Sequence, residues 1–169
     1  MCGAPPIAEL FDESGIHPRY RSLLRLYRAR PRLVHALFSV ARPLMLWEGA
    51  ARYLLPLRIV LPRPDAESIE EPRNFAAIFE PVRDAFRDVD GLFADAAIYA
   101  EPWGFPPEEI RVPVQLWHGR EDSNFHFSLA EQLAARIPTA ALRIVENEGH
   151  FSLPIRRADT ILAALADAW

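Results

Sequence analysis

The chain has no lysine: all nineteen of its basic residues are arginine. Alanine is abundant as well, so the bias is read as GC-rich codon usage and carries no function. The single cysteine, Cys2, excludes an intramolecular disulfide and a cysteine metal cluster, and it fits a reducing compartment. The start, MCGAPPIAEL, lacks the basic flank and long apolar stretch of a secretory signal. No run reaches the length of apolar residues that a membrane span needs, so no transmembrane segment is expected and the default location is cytoplasmic. Glycine is scarce, seven against sixteen prolines, which predicts proline-started helices and stiff connections. There is no glycine-rich phosphate loop. His17, His35 and His126 are spread too widely for a metal site, so neither metal nor organic cofactor is expected.

What is present is a chain of 169 residues, half hydrophobic and a quarter charged, enough for one globular domain with its own core. The net charge of −4 hides an asymmetry. Between residues 17 and 63 ten arginines face one acid, Glu48, whereas both flanks are acidic. A basic amphipathic segment can lie on anionic lipid or nucleic acid. Here the arginines are scattered around their helices without basic blocks, which fits solvated faces, and no nucleic-acid partner is expected.

Two compositional regions meet near residue 105. Across 17–105 the apolar residues recur at helical spacing. Tyr20, Leu23, Leu24 and Tyr27 form one stripe, and Pro31 opens a helix with Val34, Leu37, Phe38 and Ala41. Pro43 is expected to start another, with Leu44, Trp47, Ala51 and Leu54 on its face. LPLRIVLPRPDAESIEEP reads as a proline-punctuated connection. Phe75, Ile78, Phe79, Val82 and Phe86 follow, with Pro81 expected to kink or divide them. Leu92, Phe93, Ala96, Ala97 and Ala100 make the last stripe before EPWGFPPEEI.

Across 106–169 the period alternates. RVPVQLWHG and ALRIVE read as short strands near 112–117 and 141–145. Phe127, Ala130, Leu133, Ala134 and Ile137 form the helix face between them, and Ile155, Ala158, Ile161, Leu162 and Leu165 form the final helix. Strand, helix, strand, helix implies an α/β unit with two parallel strands.

In open parallel sheets, reactive groups gather beyond the carboxyl ends of the strands. Asp122 follows the first strand through an HG turn, and His150 follows the second across NEG. Parallel neighbouring strands would bring them together, an acid on one ring nitrogen leaving the other free as a base. Each residue has a plainer role open to it, Asp122 as a helix cap and His150 as a loop histidine. His118 is expected in the turn with a structural role. Glu121 is the runner-up acid, pointing elsewhere.

IRVPVQLWHGREDSNF followed by AEQLAARIPTAALRIVENEGHFSL resembles the C-terminal third of the α/β-hydrolase family. The resemblance implies that Asp122, in an HGxxD turn, is the triad acid and that His150, in a GH turn, is the triad base. It implies that residues 1–16 end a sixth core strand, that 17–105 are an all-helical lid, and that 106–169 are the C-terminal βαβα part of the core. The function implied is serine-type hydrolysis of esters or related acyl compounds, with an apolar acyl substrate under the lid.

The family's nucleophile sits in a GxSxG elbow, and no serine of this chain has those glycines. Cys2 and Ser152 are the unconventional candidates. The chain by itself is therefore expected to be inactive. The different-class alternative is a non-catalytic truncated remnant or interaction module, with self-association through an exposed strand edge.

Overall fold

The computed structural model describes Ile7 and residues 13–47, 49–50 and 59–166. Among these it is a mixed α/β structure with seven α-helices and one two-stranded parallel sheet. Helices α1 (Pro18–Ala29), α2 (Pro31–Leu46), α3 (Arg63–Ser68), α4 (Pro72–Ala85) and α5 (Val89–Ala100) come first. Strand β1 (Val114–Gly119), helix α6 (Phe127–Arg136), strand β2 (Ala140–Val145) and helix α7 (Ser152–Ala166) follow.

Proline sits in the first turn of α1, α2, α3 and α4, where its missing N–H costs nothing. Two interior prolines depart from expectation. Pro43 starts no helix; it lies inside α2, close to the end at Leu46. Pro81 lies inside α4 without dividing it. Each removes one helical hydrogen bond near a C-terminus, while Phe38 stacks on Phe86 at 5.5 Å and so ties the two helices together. Ala51 and Leu54, assigned to a helix begun by Pro43, lie outside the described residues.

The proline-punctuated connection contains α3, with Asp65 and Ser68 buried. A six-residue helix has too little periodicity to announce itself. Its place is fixed by packing on α7.

β1 runs two residues later than expected. Pro113 cannot donate to a ladder, and Val112 is exposed. Pairing starts at Val114↔Ala140 and ends at Gly119↔Val145, so His118 belongs to the strand, opposite Ile144, and not to the turn. Helix α6 packs on both strands and α7 on β1. Leu129, absent from the anticipated stripe of α6, is its fully buried residue, in a cluster with Ile7, Ile16 and Phe125. On α7 the expected apolar face is only partly covered. Leu162 and Leu165 stay exposed because two strands are too narrow to cover that face.

Of the span expected to end a strand, the described residues carry only a single antiparallel bridge, Ile16 to Phe125. His17 donates its N–H to the Asn124 carbonyl at 2.9 Å, and His126 donates to the Gly15 carbonyl at 2.8 Å. This bridge seats the helical half on the loop after β1. No helix among the described residues is long and apolar enough to cross a membrane.

Candidate active site

Beyond Gly119 the chain turns back on itself. Arg120 N–H donates to the Val145 carbonyl at 3.0 Å and Glu121 N–H to the Glu148 carbonyl at 2.9 Å, which ties the two strand-end loops together. Gly119 is required by closeness: a Cβ there would stand 2.3 Å from the Glu148 carbonyl oxygen. In the other loop Asn147 takes a left-handed φ of 58°, a conformation asparagine tolerates.

Asp122 is 2% exposed. Its Oδ1 accepts the N–H groups of Asn124 (2.8 Å) and Phe125 (2.9 Å), while Oδ2 lies 2.9 Å from His150 Nδ1. Asp122 thus ties its own loop and also holds the histidine; it caps no helix, since the N-cap of α6 is His126. A carboxylate only accepts, so Nδ1 carries the proton and Nε2 is the basic nitrogen. Nε2 has no hydrogen-bond partner among the described residues, and the imidazole is partly exposed. Glu121 is exposed and takes no part.

His118 is buried and donates Nε2–H to the Phe125 carbonyl at 2.7 Å, with Asp122 Oδ2 at 3.5 Å. It fixes the 122–125 turn from below. Its role is structural, as expected, but exercised from the strand.

The residue missed by sequence reasoning is Asp65. Its carboxylate, 1% exposed, accepts N–H from His150 (3.0 Å), Phe151 (2.9 Å) and Ser152 (2.8 Å). It caps the start of α7 and grips the backbone of His150. Its partners lie about eighty-five residues further along the chain, and no local pattern could reveal them.

Ser152 is no candidate nucleophile: it is fully buried and its Oγ accepts Gly149 N–H at 2.7 Å. Cys2 lies outside the described residues. No hydroxyl among the described residues bonds His150 Nε2.

An apolar cavity of about 250 Å³ opens among α1, α2 and α5, lined by Tyr20, Leu24, Tyr27, Phe38, Phe93 and Phe125 among others. Phe125 forms its wall toward the pair, with its ring 5.8 Å from that of His150. Tyr20 stacks on Phe125 at 5.6 Å. Burial raises the Tyr20 phenol above its ordinary value, and the Asp122 charge adds to this against a smaller opposing effect of Arg19. A second, polar groove of about 370 Å³ brings His17 and His126 to one surface with Ser123 and Ser128. In sequence they had looked too far apart. Their Nδ1 atoms accept helix-start N–H groups of Arg19 and Ser128, and no cluster of three metal-binding side chains exists among the described residues.

Searches with the chain against protein-family models, curated proteins and solved structures gave no match.

Proposed function

We propose that these residues form the base-bearing part of a serine-type hydrolase of the α/β-hydrolase kind, acting on esters or related acyl compounds. The observation that carries it is the 2.9 Å bond between Asp122 Oδ2 and His150 Nδ1, made by a buried carboxylate at the carboxyl ends of adjacent parallel strands. In this assignment His150 Nε2 takes the proton of an attacking hydroxyl, Asp122 stabilises the imidazolium, and an acyl-enzyme follows. The cavity beside Phe125 receives the apolar part of the substrate. No GxSxG elbow occurs in the sequence, so the nucleophile comes from polypeptide outside these residues.

The test has two arms. DNA flanking the coding segment is translated in every frame for a GxSxG elbow, and the joined polypeptide is assayed on p-nitrophenyl esters. Hydrolysis that His150→Ala reduces by about 10³-fold or more supports the assignment. Absence of an elbow, or turnover indifferent to His150, defeats it. The 169 residues alone are expected to show no His150-dependent turnover.

A second reading, an interaction module without catalysis, is favoured by one observation. Leu33, Leu37, Val40 and Leu44 form an exposed row on α2 with alternating four- and three-residue spacing, the period of a helix–helix seam.

A further inference from the structure

We infer that Asp65 is a positioning residue for His150, so that the base is held in place only while α3 is docked on α7. This rests on the assignment of His150 as the base. The first N–H groups of a helix have no partner within it and are ordinarily capped by a neighbouring Ser, Thr, Asp or Asn. At the start of α7 the preceding residues are Gly149, His150 and Phe151, and none supplies a side-chain cap. The Ser152 hydroxyl is already spent on Gly149 N–H. The acceptor is therefore delivered from another element, α3, through one buried carboxylate that takes three successive N–H groups.

The middle of the arrangement is His150 itself. Asp65 Oδ2 holds its backbone N–H at 3.0 Å and Asp122 Oδ2 holds its Nδ1 at 2.9 Å. Two carboxylates from different elements thus fix the two ends of one residue. Gly149 makes room for this, since a Cβ there would stand 2.5 Å from Asp65 Oδ1. Asp65 is itself anchored, for within α3 Ser68 Oγ donates to the Pro64 carbonyl at 2.8 Å, and Asn74 Nδ2 donates to the Ser68 carbonyl at 2.8 Å. Arg156 reaches Glu67 at 3.4 Å and Glu148 at 3.8 Å, spanning α3 and the His150 loop at the rim. A helix of the lid-like half is thereby built into the placement of the base.

The discriminating variant is Asp65→Asn. Asparagine still offers one oxygen to Phe151 and Ser152, but it turns an NH₂ toward His150 N–H, so the cap survives and the grip on His150 is lost. The readout is NMR of the whole chain: the His150 Nδ1 proton signal and amide exchange at residues 150–152, neither of which needs turnover. In Asp65→Asn the His150 amide is expected to exchange at least tenfold faster, with the Nδ1 proton signal lost or displaced, while amides of β1 keep their protection. Asp65→Glu is expected not to restore it, because the longer side chain overfills the space beside Gly149. A folded Asp65→Asn protein whose Nδ1 proton is unchanged would overturn the inference. If the variant does not fold, the wild type decides: amides of His150, Phe151 and Ser152 should exchange in step with those of α3, and independent exchange overturns the coupling. Failure of the hydrolase assignment would show as missing turnover with these signals intact, so the two failures are distinguishable.

Discussion

His118 Nε2 and His150 Nδ1 stand on the same oxygen of Asp122, at 3.5 Å and 2.9 Å. Only the second is a hydrogen bond of full strength, because the His118 proton is committed to the Phe125 carbonyl. The buried histidine holds the turn and the partly exposed one is held by it. This division sets what each substitution should do.

Asp122→Asn is expected to switch the tautomer of His150. The asparagine NH₂ would face Nδ1, which then accepts, and the proton moves to Nε2. Nitrogen-15 NMR of labelled histidine measures this, and a protonated Nδ1 in the variant would contradict it. Asp122→Ala removes the partner of three donors in a buried place and should cost about 3 kcal/mol or more of stability, read from chemical denaturation.

Gly119→Ala should be costly despite its small size. The new methyl meets the Glu148 backbone oxygen, which no side-chain rotation can move away. A loss of about 1–3 kcal/mol follows from the overpacking, together with a displaced His150 loop. An unchanged melting temperature and an unshifted His150 signal would show that the loops part freely.

Tyr20 gives an alkaline signature. Its pKa is raised above the ordinary 10.0, first by burial and then by Asp122. The folded state therefore binds the phenol proton more tightly than the unfolded state. Its contribution to stability is full below about pH 10 and is lost as pH rises through the folded value. With no lysine in the chain, few other groups titrate there. Thermal unfolding at pH 9 and pH 11 should show a smaller pH penalty in Tyr20→Phe than in the wild type; equal penalties would exclude the effect.

The exposed row on α2 and the sheet edges left unpaired among the described residues should make the chain self-associate. Light scattering after size exclusion is expected to give a mass above that of one chain. Leu37→Glu with Leu44→Glu should return it toward the monomer if the helix row is responsible, and association that persists assigns it to the sheet edge. A clean wild-type monomer with one sharp thermal transition would defeat both.

Much of this architecture was legible because it is local. The two short apolar runs gave both strands, β1 two residues early, and the segments after them placed Asp122 and His150 beyond their ends. Proline marked a helix start correctly at Pro31; Pro64, in the stretch read as a connection, also stands in the first turn of a helix. Proline misled at Pro43, which lies within the last turn of α2 and starts no helix.

By itself the sequence determined most of the segments that become helix or strand, α3 and the end of α2 excepted, and which two polar residues stand beyond the strand ends, since each depends on neighbours a few residues apart. Tertiary structure alone decided that His118 lies in the strand, that Phe125 separates an apolar cavity from the imidazole, and that Asp65 caps the turn of His150. These contacts join groups with no local relation, and a carboxylate carries no mark in the sequence of the distant amides it will accept. Whether such a group is buried and satisfied, or merely solvated, is settled only when the elements pack.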